Sequence, residues 1–306
     1  VGLFGAEAVG PGTASLLRRS PGGSFFVLDF RQGQIREIDP VTDRSRVWVQ
    51  ASPPPLDFDF LPSGALLWIR DSEPILHLQA SFGAPDGTFP WPETLSRLVS
   101  EPEGGLVGSG DGEARSLFRR YSPEGLRLGA YGRFLAGDHQ DTQVLEGALA
   151  ADGAGGFFYA PHYLPFLARF TFDGRLSFVE PLAGIKAGTQ LAAPPRIVRG
   201  PRDSRNIEPG TRVRTYSMHL SDDHMALLAE LSPERQRVLD LYRVEDGAYE
   251  ESLELPAGTR DAHLAGSELY TLHRDGIRRW HLEDRHVAEP AGDAPPGRTA
   301  SAAVTR

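Results

Sequence analysis

"SPGGSFFVLDFRQGQIREID", residues 20–39, is the stretch on which the fold turns. Pro21, Gly22 and Gly23 form a turn signal, because proline presets one backbone angle and glycine tolerates the left-handed region. A run of apolar and aromatic residues follows to Phe30. The polar break Arg31–Gly33 interrupts it, and a second alternating run, "QIREI", resumes. Two strand-like runs about a short polar, glycine-bearing break read as a β-hairpin.

The same pattern recurs along the chain. Turn and second strand appear as "SPGGSFFVLDF", "LPSGALLWIRD", "EPEGGLVGSGD", "ADGAGGFFYAP", "LSDDHMALLAE" and "LAGSELYTLHR", starting near residues 20, 61, 101, 150, 220 and 264. Third strands follow as "GQIREID", "PILHLQA", "RSLFRRYS", "PFLARFTFDG", "RVLDLYRVEDG" and "DGIRRWHLED". Period-two alternation sets Phe26, Leu28 and Phe30 on one face, and Leu66 and Trp68 on one face of the next copy. Each copy is apolar on both faces. A lone sheet of that kind cannot cover itself, whereas six fanned about an axis cover one another.

The expected fold is therefore all-β: a six-bladed β-propeller of four-stranded antiparallel blades. The competing architecture is an irregular β-sandwich or a pair of small β-domains. The last copy lacks a fourth strand, and the N-terminal "VGLFGAEAVG" can supply it, closing the ring and removing an exposed edge. Residues 1–290 then form one propeller with an insertion at about 182–212 between blades 4 and 5, and residues 291–306 form a C-terminal tail of linker-like composition. "PWPETLSRLVS", with Pro90 and Pro92, reads as a turn or strand lead-in rather than a helix.

Composition excludes several function classes. A formal charge of -9 removes the basic field that nucleic-acid binding requires. With no cysteine there are no disulfides, zinc–thiolate sites or cysteine nucleophiles. No apolar run approaches the roughly 18 residues of a transmembrane helix. The first residue is Val, which gives the expectation of a removed leader and an extracytoplasmic location, at the cell surface, in the periplasm or secreted.

The opening "VGLFGAEAVGPGT", followed by "SPGGSFFVLDF" and "GQIREID", resembles the six-bladed propellers related to NHL repeats. Gly10, Pro11 and Gly12 match the glycine-rich lead-in, Asp29 the strand-end aspartate and Ile35 the arginine–isoleucine position. Thr13 stands in place of the lead-in glutamate and Gln34 in place of the arginine. The resemblance implies the same fold with no fixed function: similar propellers include lactonases and a peptide-amide lyase with metal ligands at the central channel. Their "EGP" signature is missing here, as are aspartate-box, "YWTD", tryptophan–aspartate and kelch motifs. No G-x-S-x-G occurs, and "VGSGDG" has no helix behind it to form a phosphate loop.

Three constellations remain as candidates. Around blade 4 stand Asp138, His139, Asp141, His162 and Tyr163 on long loops, a group with imidazole and carboxylate donors but no diagnostic metal spacing. Arg196, Arg199, Arg202 and Arg205 recur every third residue in "PPRIVRGPRDSR"; in polyproline II that spacing aligns four guanidinium groups, either to clamp carboxylates or phosphates or to lie against the propeller's own acids. On the inner strands, Asp57, Asp59, Glu146, His219, Asp261 and His263 are candidate acids and bases, or simply polar lining of a wet channel.

The expected function is a non-catalytic binding or scaffold propeller, with a protein partner or self-assembly and with no cofactor, metal or catalytic residue assigned. The alternative is a lactonase-like, metal-dependent hydrolase or lyase at the channel mouth. A third reading uses Tyr163, Trp68 or Trp91 as stacking surfaces for a sugar or peptide.

Overall fold

The computed structural model describes residues 2–4, 14–70, 73–85, 87–91, 94–110, 116–132, 145–182, 197–199, 205–207, 215–221, 224–231 and 236–282. β1 (Gly2–Phe4) stands at the start of the chain. Blade 1 is β2 (Ala14–Arg19), β3 (Phe25–Asp29), β4 (Gln34–Ile38) and β5 (Ser45–Gln50); blade 2 is β6 (Pro55–Phe60), β7 (Leu66–Arg70), β8 (Ile75–Gln79) and β9 (Gly87–Pro90). Blade 3 is β10 (Arg97–Ser100), β11 (Leu106–Ser109), β12 (Phe118–Tyr121) and β13 (Arg127–Tyr131); blade 4 is β14 (Gly147–Ala151), β15 (Gly156–Pro161), β16 (Phe166–Thr171) and β17 (Leu176–Pro181). A short hairpin, β18 (Ile197–Arg199) and β19 (Arg205–Ile207), precedes blade 5, which is β20 (Thr215–Ser221), β21 (His224–Leu231), β22 (Gln236–Arg243) and β23 (Tyr249–Glu254). Blade 6 is β24 (Asp261–Ala265), β25 (Glu268–His273) and β26 (Gly276–His281), completed by β1. No helix occurs among the described residues, and none is long and apolar enough to cross a membrane.

The chain is thus a six-bladed β-propeller. Its closure joins the termini as the sequence implies: Gly2, Leu3 and Phe4 pair antiparallel with Arg279, Arg278 and Ile277. The opening hairpin shows the local logic. Phe25 pairs with Ile38 and Asp29 with Gln34, while the Asp29 carboxylate accepts the Gln32 amide at 2.9 Å and so holds the turn. Gly33 takes φ +66°, and a Cβ there would collide with the Ala51 carbonyl oxygen, so this turn requires glycine twice over.

Because every blade is apolar on both faces, the core is six seams rather than one centre. Phe26, Leu28 and Ile35 of blade 1 pack on Phe58, Leu66 and Trp68 of blade 2, and on the other side Phe25 and Val27 meet Tyr270, Leu272 and Ile277 of blade 6. Leu67 and Ile69 meet Leu98, Leu106 and Tyr121 between blades 2 and 3. Phe118 packs on Phe157, Tyr159 and Phe170 between blades 3 and 4. Phe158 and Ala160 face Met225 and Leu227 between blades 4 and 5, and Leu239 and Leu241 face Leu264 and Trp280 between blades 5 and 6. Phe30, expected on the same face as Phe26 and Leu28, lies one residue past the end of β3 and is 45% exposed. Trp68 and Trp91, offered as stacking surfaces, are buried in these seams instead.

Candidate functional site

The inner strands β2, β6, β10, β14, β20 and β24 bring one polar residue set to the axis of the ring, and every seam between blades carries a polar link there. From blade 1, Arg18 sets its guanidinium 3.1 Å from Asp57 and 3.6 Å from Asp59 of blade 2. Those two carboxylates reach on to blade 3, where Asp57 accepts the Leu98 amide at 3.0 Å and Asp59 the Ser100 amide at 2.8 Å. Arg97 of blade 3 bonds Glu146 at 3.1 Å and the His162 Nε2 at 3.3 Å, both on blade 4.

The circuit then continues to its start. His162 Nδ1 lies 2.9 Å from the Thr215 carbonyl oxygen of blade 5, and the Thr215 hydroxyl donates to the Pro161 carbonyl at 2.7 Å. Between blades 5 and 6, Ser217 donates to Asp261 and the Leu264 amide donates to His219 Nε2 at 2.8 Å. Asp261 accepts the Leu17 amide of blade 1 at 2.6 Å, which closes the circle.

These bonds fix protonation. His162 meets a carbonyl at Nδ1 and an arginine at Nε2, so its proton sits on Nδ1. Burial, with Arg97 beside it, pushes its pKa down to about 4. His219 accepts a backbone amide at Nε2 and therefore also carries its proton on Nδ1; burial, His263 and Arg18 hold it well below the ordinary imidazole range. His263 stacks on His219 with ring centroids 4.2 Å apart, and burial together with Arg19 and Arg18 pushes it down to about 3. All three imidazoles are neutral at pH 7.

The carboxylates shift the other way. Burial pushes Asp261 up to about 6 against the pull of its Ser217, Leu17 and Ala262 donors. It also raises Asp59 against the attraction of Arg18. Burial works against the Arg18 charge as well, but Asp57 and Asp59 beside it leave its pKa above the ordinary guanidinium value.

Of the residues singled out in the sequence, Asp57 and Asp59 meet at Arg18, and His219, Asp261 and His263 form a second group on the neighbouring blades 5 and 6. His162 and the half-buried Tyr163 sit together at the end of β15, with Glu146 linked through Arg97. Asp138, His139, Asp141, Arg196 and Arg202 lie outside the described residues. Arg199 and Arg205 are opposed partners in the antiparallel hairpin of β18 and β19, so the segment folds back on itself where a continuous polyproline stripe was expected. Arg18, Arg97, Thr215 and Ser217 were missed. The signal for Arg18 was present: a charge in the inner-strand run "SLLRR" needs a counter-charge, and "LDFDF" supplies it.

The resemblance implies metal ligands at the channel, and the donors among the described residues do not fit such an ion. Asp57 has Arg18 on one oxygen and an amide on the other, both Asp261 oxygens have donors, and the His219 Nε2 lone pair is engaged. Among the described residues no group of three histidine, aspartate or glutamate side chains is placed to bind a metal.

No family model matches this chain, and no curated protein matches it. Solved structures do. A catalytically inactive virginiamycin B lyase from Staphylococcus aureus with quinupristin is 10% identical over 87% of this chain and 94% of its own, with a TM-score of 0.54. The chain has the fold of a six-bladed β-propeller. A putative gluconolactonase is 13% identical over 89% of both chains with a TM-score of 0.58, and a chain of a nidogen/laminin complex is 10% identical over 89% of this chain and 90% of its own with a TM-score of 0.54. The shared fold spans enzymes and a protein complex, so it does not choose between them.

Proposed function

We propose that this chain is a non-catalytic interaction platform, a propeller subunit of a larger protein assembly. The observation that carries the reading is the state of the inner ring. Most of the side chains suited to act as acid, base or ligand are held by another blade, several by its backbone amides; His263, whose Nδ1 has no partner among the described residues, is the exception. Asp57 and Asp261 each join three blades, and His219 is locked in one tautomer by a main-chain amide. A general base needs a free lone pair near the reacting proton; the Nε2 lone pair of His219 is taken, and each oxygen of Asp57 and Asp261 already has a donor. The neighbour in a nidogen/laminin complex supports the reading, since that propeller is found in an assembly of proteins.

A second reading, a metal-dependent hydrolase or lyase at the channel mouth, is favoured by the lyase and the lactonase among the structural neighbours. Calorimetry separates the two: the dialysed chain titrated with Ca²⁺, Mn²⁺ or Zn²⁺ gives no saturable heat on the platform reading, and a stoichiometric micromolar site overturns it. We further propose an extracytoplasmic location, which a cysteine-free chain tolerates; recovery in the cytosolic fraction of the native source overturns that part alone.

A further inference from the structure

Among the described residues seven large apolar side chains are exposed: Phe30, Val41 and Phe82 lie in turns of blades 1 and 2, and the other four lie at the outer strands of blades 3 and 4. Leu126 and Leu128 on blade 3 and Leu176 and Val179 on blade 4 are 67%, 57%, 50% and 44% exposed. All four lie on or beside the outermost strands β13 and β17. These two edges are neighbours: Gly174, in the turn before β17, lies so close to Tyr131 of β13 that a Cβ there would stand 2.8 Å from the ring. The outer rims of blades 3 and 4 therefore adjoin where the end of β13 meets the turn before β17.

β17 ends its sheet, so one of its backbone edges is unpaired. Natural edge strands are usually guarded by charge, proline or brevity. β23 carries Glu250, Glu251 and Glu254, which repel a second copy, and the four-residue β9 ends in Pro90. β5 carries Arg46, and β13 carries Arg127 with no acid in the strand. β17 (Leu176–Pro181) also ends in a proline but differs in its charge pattern: in "RLSFVE", residues 175–180, Arg175 just before the strand and Glu180 near its end flank an apolar centre. Laid antiparallel on itself, the arginine end meets the glutamate end twice. Arg175 is 84% exposed, and among the described residues its ion-pair partner is the exposed Asp173 at 3.1 Å, a surface contact that exchanges readily. Phe178 packs against Gly247 of blade 5, which fixes the strand in place.

We propose that β17 is a homotypic docking edge, pairing antiparallel with β17 of a second copy about a twofold axis, with Leu126 and Leu128 covered at its flank. Six edge residues are fewer than a stable interface needs, and the blade 3 rim supplies the added area. The proposal rests on the platform reading and names its first partner, another copy of this chain.

Sedimentation velocity on the full chain from roughly 1 to 100 μM, the range in which a modest edge interface self-associates, tests it. The expected result is a dimer. Val179→Lys, with an unchanged circular dichroism spectrum, is expected to raise the dissociation constant about tenfold or more, one buried charge being worth at least ~1.4 kcal/mol. Arg175→Glu and Glu180→Arg are each expected to weaken it about threefold or more, and the double swap to return it to within about twofold of the wild type. A wild type that stays monomeric overturns the proposal. So does a dimer indifferent to Val179→Lys, or a double swap as weak as the two single changes combined; should the lysine variant misfold, the charge swaps decide. A monomer that still co-sediments with other proteins from its source ends the dimer and leaves the platform; a dimer that turns over a lactone does the reverse.

Discussion

Removing the Asp261 carboxylate is expected to be among the most damaging single changes at the axis. Asp261 is 1% exposed and accepts the Leu17 amide at 2.6 Å, the Ala262 amide at 2.8 Å and the Ser217 hydroxyl, so it ties blades 5, 6 and 1 at the point where the ring closes. Asp261→Ala leaves two buried backbone amides without acceptors, at about 1–3 kcal/mol each, while the serine hydroxyl can rotate to another partner. The expected loss is about 3–5 kcal/mol. Asp261→Asn keeps the shape but turns an amide NH₂ toward one donor, and it removes the charge. Because burial lifts the native carboxyl to about 6 from 3.8, the pH-dependent part of its contribution is full below pH 4 and is lost as pH rises through 6, while its hydrogen bonds to the two amides remain. Two units correspond to roughly 3 kcal/mol. Urea unfolding of wild type and Asp261→Asn at pH 4, 5.5 and 7 is therefore expected to show the wild type losing about 3 kcal/mol relative to the variant across that range. A difference that is flat or grows with pH, or an Asp261→Ala protein within about 1 kcal/mol of wild type at pH 7, refutes the reasoning.

Three further outcomes follow from the same geometry. His162 and His263, held near 4 and 3 inside the ring, stabilise it above pH 6.5 and lose that contribution as pH falls, roughly 3 kcal/mol each by pH 4; His263→Phe is expected to flatten the acid limb of a melting-temperature profile, and an unchanged slope contradicts this. Asp152, buried in the first turn of blade 4, accepts the Ala154 and Gly156 amides at 2.8 Å and the Arg169 guanidinium at 2.6 Å, so Asp152→Ala is expected to cost about 3–5 kcal/mol in denaturant unfolding and Arg169→Met clearly less. Deleting residues 1–4 strips β1 from β26 and bares an edge, with an expected fall of roughly 5–10 °C in melting temperature and faster aggregation by light scattering; a deletion variant that melts with the full chain excludes closure by β1.

The strands were legible because their apolar residues alternate and their turns carry glycine, aspartate and proline, and the six-fold repeat of "SPGGSFFVLDF" left few architectures that could bury both faces. The closing strand was legible for the same reason, as the piece missing from the last blade. The links at the axis were not. Arg18 and Asp57 stand 39 residues apart, and Asp57 finds its other donor in the main-chain amide of Leu98, a group that no side-chain pattern encodes. Inner-strand carboxylates and imidazoles therefore read as candidate acids and bases, although their bonds run from blade to blade. Threefold arginine spacing misled in a related way, since it cannot show that Arg199 and Arg205 stand opposite each other in an antiparallel pair of strands.

The central claim is that the polar ring holds blades together and performs no chemistry. Its most direct test is turnover of quinupristin and of gluconolactone by the purified chain, with and without added Mg²⁺ or Ca²⁺, beside His219→Ala and Asp59→Ala variants of matched circular dichroism. The account expects no product above the protein-free blank from any of them. Product formed by the wild type and lost in either variant would contradict it.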